Sequence, residues 1–195
     1  MKFKYLFLIG FLVVLSQDAF TQGIGPNNWR TFASIARYDK ANLELKLHMK
    51  AENRVVFMGN SITEGWIQMR SDIFKDRDYI NRGIGGQTTH QMLLRFRQDV
   101  VDLNPKAVVI LAGTNDLAGN TGYASIETII GNIKSMAEIA HANGIKVIIS
   151  SILPAIEYLW KPGLEPAVNI VKINKALKTY ASKNNFIYLD YYSAM

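Results

Sequence analysis

The sequence predicts an α/β fold, a three-layer α/β/α sandwich around a five-stranded parallel sheet. Three observations carry that prediction. Short apolar segments alternate with stretches of helical spacing from Arg54 to the end. Two of those segments, Val108-Val109-Ile110-Leu111 and Val147-Ile148-Ile149, are continuously apolar, as strands covered on both faces are. Each connection between strand segments is long enough for a helix, and right-handed crossovers put such helices on both faces.

The elements follow in order. Lys2 and Lys4 precede an apolar run from Tyr5 to Leu15, and Ser16 to Gln22 turns polar with small residues. That run is too short to span a bilayer. Residues 1–22 therefore read as a secretory signal peptide and 23–195 as the domain of a secreted or periplasmic protein with no membrane anchor. A helix is expected around Trp29 to Leu47, then strands at Arg54–Met58 and Tyr79–Arg82. Met92, Leu93, Phe96 and Val100 form a helical stripe before the strand Lys106–Ala112. Ile126, Ile129, Ile130, Ile133 and Ala137 form the next stripe, closed by Asn143-Gly144, a left-handed cap. The strand Lys146–Ser151 leads into a long loop, Ile152 to Pro166. A third stripe, Ile170, Ile173 and Leu177, precedes the last strand, Phe186–Asp190. The commonest order for five such strands is 2-1-3-4-5, the flavodoxin-like arrangement, with its crevice where strands 1 and 3 diverge.

Composition narrows the function. The formal charge is +6. No basic run of four accompanies it, so a solvated basic surface is the better reading and nucleic-acid binding is not expected. The sequence has no cysteine, hence no disulfide framework and no cysteine-linked lipid anchor. It shows no internal repeat. No cofactor is expected, and no metal site either, since the one suggestive pair, Glu138 and His141, stands alone on a helix.

Chemistry concentrates at three junctions on the carboxyl side of the strands. Val55 to Met58 runs into Gly59-Asn60-Ser61, where a strand hands over to a helix and Ser61 falls in the first turn. Gly83-Ile84-Gly85-Gly86-Gln87-Thr88 follows strand 2, and Gly113-Thr114-Asn115-Asp116 follows strand 3. A serine at such a junction alone is more often a helix cap, and Asn115 and Asp116 alone could form an Asx turn. Gly83, Gly85 and Thr88 also give a loose G-x-G-x-x-T, but no ribose-binding acid follows the next strand, which leaves a nucleotide-binding reading weak. Together the blocks supply a nucleophile with backbone and amide donors for an oxyanion.

This pattern resembles the SGNH (GDSL-type) hydrolase superfamily of esterases and lipases. Gly59-Asn60-Ser61 matches its Gly-Asp-Ser block, Gly86 its second-block glycine, and Gly113-Thr114-Asn115-Asp116 its Gly-x-Asn-Asp block. The resemblance implies that Ser61 is the nucleophile, with its own N–H, the Gly86 N–H and the Asn115 side chain as the oxyanion hole. Asn60 stands in place of the family's aspartate, an isosteric change that keeps an acceptor. The family's Asp-x-x-His block, which supplies the base, has no counterpart after the fifth strand, and the expectation is a sequence ending before that block and its final helix. His48, His90 and His141 are poor substitutes by position. His90 is the nearest of them by sequence logic.

Within the loop after strand 4, Tyr158 and Trp160 are the candidate substrate-binding residues, able to stack on a sugar face or to plug a gap between helices. The reading is a secreted serine esterase acting on short-chain acyl esters, with carbohydrate O-acetyl groups favoured by the resemblance. The alternative is a non-catalytic acyl- or glycan-binding domain that keeps the pocket. A small-molecule or glycan ester is the expected partner in either case.

Overall fold

A computed structural model describes residues 28–47, 53–75 and 78–195. The expected signal peptide and His48 lie outside these residues. The sheet contains β1 (Val55–Gly59), β2 (Tyr79–Gly83), β3 (Ala107–Leu111), β4 (Lys146–Ser150) and β5 (Ile187–Leu189), all parallel, in the order 2-1-3-4-5. Both the fold class and the strand order match the expectation. Gly59 is level with Gly83 on one side and Leu111 on the other, so the three chemistry-bearing junctions leave the sheet side by side.

Side-chain alternation divides the core. Val56, Met58, Val108, Ile110, Val147 and Ile149 are buried in the main core cluster. They meet Met92 and Phe96 of α5 (Thr89–Asp99), Ile129 and Ile133 of α7 (Ile126–Ala142), and Ile170 and Ile173 of α8 (Ala167–Lys183). These are the stripes read from the sequence. Fully burying each such side chain contributes on the order of 1.5–3 kcal/mol. On the opposite face Phe57 packs edge-on against Trp66 of α3 (Ser61–Met69) at 5.9 Å and Phe74 of α4 (Ser71–Phe74) at 5.6 Å. Trp66 in turn meets Tyr191, beyond β5, at 5.9 Å.

Two local expectations are corrected. The segment Trp29–Leu47 is not one helix. It divides into α1 (Asn28–Phe32), a 3₁₀ turn (Ile35–Tyr38) and α2 (Asp39–Leu47), because Ser34 takes a left-handed conformation at φ 52°. Strand 5 is shorter than expected, with three residues, and Ile187 is 42% exposed. The remaining short helix, α6 (Thr114–Leu117), opens at the carboxyl end of β3.

Candidate active site

At the β1–α3 junction Asn60 is the helix cap. Its backbone is extended and its side chain accepts the Ile62 N–H at 3.0 Å. Asn60 is buried and Ser61 is exposed. Capping thus falls to the residue before the serine, and no hydrogen bond engages the Ser61 hydroxyl among the described residues. The first-turn N–H of Ser61 opens at the positive end of the helix dipole.

The second junction is a tight turn. Gln87 N–H donates to the Ile84 carbonyl at 3.3 Å, and Gly86 sits at φ +75° while Gly85 does not have positive φ. That combination is a type II turn, whose third residue needs a left-handed backbone that glycine adopts without strain. The turn lies against the start of α3. A Cβ on Gly85 would come within 3.9 Å of Ser61 Cβ, and one on Gly83 within 2.2 Å of the Glu64 backbone nitrogen. Among the described residues no acceptor takes the Gly86 N–H.

Asn115, in α6, is buried, and its Nδ2 donates to the Gln87 carbonyl at 2.9 Å. A side-chain amide has two N–H donors, so one remains for a ligand. Ser61 and Asn115 therefore both border the Gly85–Gln87 turn. Asp116 also reaches beyond its own turn. Its carboxylate accepts the Thr89 N–H at 3.0 Å and the Thr89 hydroxyl at 2.5 Å, fixing the start of α5. Burial pushes its pKa above the usual carboxylate value, against the opposing pull of the Thr89 bonds.

A buried polar scaffold beneath the turn is absent from any local sequence pattern. Arg95 of α5 is fully buried. It donates to Gln87 Oε1 at 2.6 Å, Asp99 at 2.9 Å, the Arg82 carbonyl at 2.9 Å and the Gly59 carbonyl at 3.2 Å. One side chain thus ties together the ends of β1 and β2 and the residue after Gly86. Asn42 extends the network, giving Nδ2 to Asp99 at 2.7 Å and accepting Nη2 and Nε of Arg82 on its Oδ1, at 2.7 and 3.0 Å. Burial pulls both guanidinium groups below their ordinary value. The segment from α1 to α2 also clasps the turn from outside. Gln87 Nε2 donates to the Ala33 carbonyl at 2.9 Å, and the Tyr38 hydroxyl donates to the Gly83 carbonyl. Glu64 was missed by the sequence reading as well. One carboxylate oxygen accepts the Gly85 N–H at 2.8 Å and the other the Arg37 guanidinium at 3.1 Å. Its spacing of three from Ser61 on one helix was the available signal.

Tyr158 and Trp160 are stacked, with ring centroids 4.8 Å apart and planes at 18°. Tyr158 is buried with its hydroxyl unpartnered, whereas Trp160 is 56% exposed. Burial raises the Tyr158 phenol to about 12. Both border a cavity of about 230 Å³, together with Ile62 next to Ser61, Thr114 next to Asn115, and Leu153.

The histidines stand elsewhere. His90, partly exposed in the first turn of α5, has its Nδ1 3.8 Å from Asp116, and His141 packs edge-on against Phe186 at 5.4 Å. Among the described residues no cluster of three His, Asp or Glu could hold a metal ion. What the junctions bring together is a free hydroxyl, two N–H groups at a turn and a helix start, and a buried amide.

The GDSL-like lipase/acylhydrolase family model matches residues 57–195. The crystal structure of a GDSL-like lipase from Bacteroides thetaiotaomicron superposes with a TM-score of 0.81 at 49% identity, covering 84% of this chain and 80% of that one. An uncharacterised lipoprotein of Bacillus subtilis is 41% identical over 83 residues, which are 41% of this chain and 34% of the relative. The Homo sapiens platelet-activating factor acetylhydrolase IB subunit alpha2 is 29% identical over 137 residues, 68% of this chain and 56% of the relative. The matched region thus spans between a third and just over half of these two curated relatives. The family match covers most of the chain, and the chain belongs to the GDSL-like lipase/acylhydrolase family.

Proposed function

From that membership we propose that the protein is a serine esterase that cleaves short acyl esters through an acyl-enzyme on Ser61. The observation that supports it most is the division of labour at the β1–α3 junction. Asn60 caps the helix, leaving the Ser61 hydroxyl uncommitted next to the turn that carries the Gly86 N–H and receives the Asn115 amide. The hydroxyl attacks the ester carbonyl carbon. The carbonyl oxygen takes the negative charge and is held by the Ser61 N–H, the Gly86 N–H and Asn115 Nδ2. The Ser61 proton passes through water to the leaving oxygen, so that collapse expels the alcohol and leaves the acyl group on Ser61 Oγ, and water then releases the acid.

Proton transfer is the weak step in this polypeptide. Among the described residues no histidine hydrogen-bonds to Ser61. Oxyanion donors alone still give roughly 10³–10⁴-fold catalysis over water in serine hydrolases stripped of triad members. The same observation favours a second reading, a non-catalytic domain that binds an acyl or glycan ester in this pocket.

For the substrate, the acetylhydrolase activity in the name of the human relative fits a small acyl group. The half-exposed face of Trp160 at the cavity mouth suits an alcohol portion with a flat apolar face, such as a sugar. The apolar run from Tyr5 to Leu15, together with the lipoprotein relative, supports a place of action outside the cytoplasm. The test is p-nitrophenyl acetate hydrolysis by the 195-residue polypeptide. Ser61→Ala should abolish the acetyl-enzyme while leaving the residual rate that the oxyanion donors support, and Asn115→Ala should lower that rate by roughly 10²–10³-fold, as loss of one oxyanion donor does. Binding of acetylated xylo-oligosaccharides with no turnover and no effect of Asn115→Ala on rate would favour the second reading.

A further inference from the structure

The oxyanion reading leaves open what holds the Gly86 N–H in place. The turn that carries it is weakly closed by itself. Its own hydrogen bond, Gln87 N–H to Ile84 carbonyl, is 3.3 Å long, and its two central residues are both glycine. A turn of that composition has little intrinsic preference for one geometry. The anchors therefore come from outside it. On the downstream side Asn120 Nδ2 donates to the Gly86 carbonyl at 3.1 Å and Asn115 Nδ2 to the Gln87 carbonyl at 2.9 Å. On the upstream side the Gly85 N–H donates to Glu64 Oε2 at 2.8 Å. This is the turn's link to the helix that bears Ser61, and its acceptor is ionisable, which makes it a charge-assisted bond.

We infer that Glu64 is a positioning residue, a gauge that sets the distance between the Ser61 hydroxyl and the Gly86 N–H. The inference rests on the esterase reading for its consequence. Its geometry is independent of it. Residues three apart on a helix share a face, so Ser61 and Glu64 project toward the same side of α3. Serine and carboxylate are thus rigidly spaced by one helical turn, and the carboxylate grips the peptide immediately before the oxyanion donor. Two positions in space are set by one rigid element. A Cβ on Gly85 would sit 3.0 Å from Glu64 Oε2 and 3.9 Å from Ser61 Cβ, which puts turn, gauge and nucleophile in one contact. Arg37, at 3.1 Å, steadies the second carboxylate oxygen from the 3₁₀ turn, but its side chain is 57% exposed, and such a pair contributes little on its own. The Gly85 bond therefore carries the role.

Misplacing a reacting group by about 1 Å can cost 10²-fold in rate. Glu64→Ala should slow acetylation of Ser61 by p-nitrophenyl acetate by about tenfold to a hundredfold, with the half-saturating ester concentration moved less than about threefold, since the gauge acts on the transition state. Glu64→Gln keeps an oxygen for the Gly85 N–H and should recover most of the loss. A second readout needs no turnover. In nitrogen-15 spectra the Gly85 and Gly86 amide signals should shift and broaden in Glu64→Ala and return near their original positions in Glu64→Gln, while amides of β3 and α7 stay put. Unmoved Gly85 and Gly86 signals in Glu64→Ala overturn the inference, as does an unchanged acetylation rate. If the unaltered chain acetylates no faster than Ser61→Ala, the esterase reading fails instead, and the amide signals still decide whether Glu64 holds the turn.

Discussion

Arg95 offers the sharpest test of how the fold holds the site. It is fully buried and donates to four acceptors: Gln87 Oε1, the Asp99 carboxylate and the carbonyls of Gly59 and Arg82. Arg95→Ala leaves Asp99 buried without its direct cation, with the Asn42 amide and the charge of Arg82 still facing it, and strips two strand-end carbonyls of a donor. Removing one partner of a buried ion pair costs about 3–5 kcal/mol. For a domain of this size each kcal/mol is worth about 2–4 °C, so the melting temperature should fall by roughly 6–20 °C. Urea unfolding followed by circular dichroism gives the free energy, and calorimetry the melting temperature. Arg95→Ala combined with Asp99→Ala should lose less than the sum of the single changes, because it removes both charges together. A loss under about 1 kcal/mol for Arg95→Ala would refute the argument, because it would mean water or another cation already serves these acceptors.

Two further predictions concern the same architecture. Gly83→Ala should destabilise by about 3 kcal/mol, the upper end for overpacking, because the added methyl meets the Glu64 backbone at 2.2 Å and the Asn60 carbonyl at 2.8 Å, neither of which can rotate away; equal urea midpoints for the two proteins would contradict it. Tyr158→Phe removes a buried hydroxyl that has no partner and should leave the protein as stable or up to about 2 kcal/mol more stable near pH 7, by denaturant unfolding. The pH dependence has a definite sign: the folded phenol sits at about 12, above its ordinary value of 10.0, so its contribution is whole below pH 10 and is lost as pH rises from 10 to 12. Tyr158→Phe should flatten that alkaline fall, and an unchanged fall would show that the phenol ionises alike folded and unfolded.

The sheet was legible because its signals are local. Continuous apolar runs such as Val108–Leu111 and the spacing of Ile129, Ile133 and Ala137 announce strand and helix wherever they fall. The carboxyl-edge location of Ser61, Gly86 and Asn115 followed from strand order. The break at Ser34 was not legible, since a left-handed serine leaves no pattern and the flanking residues keep helical spacing. Nor were the roles of Arg95, Gln87, Asn42 and Glu64, since most of their partners lie far off along the chain, and the helical spacing of Arg95 and Asp99 does not reveal their burial. For Asp116 the sequence offered only a local Asx turn, whereas the tertiary fold also brings it to Thr89. Such side chains look like solvated polar residues until the fold encloses them.

Ser61 is the proposed nucleophile at an oxyanion site. Incubation with p-nitrophenyl acetate, followed by intact mass and peptide mapping, tests it most directly. With no histidine hydrogen-bonded to the serine among the described residues, deacylation should lag acylation by an activated ester, so the acyl-enzyme should accumulate. One acetyl group per chain is expected, on Ser61, reduced in Asn115→Ala and absent from that peptide in Ser61→Ala. Acetylation confined to lysines, with the Ser61 peptide unmodified after complete consumption of the ester, would contradict it.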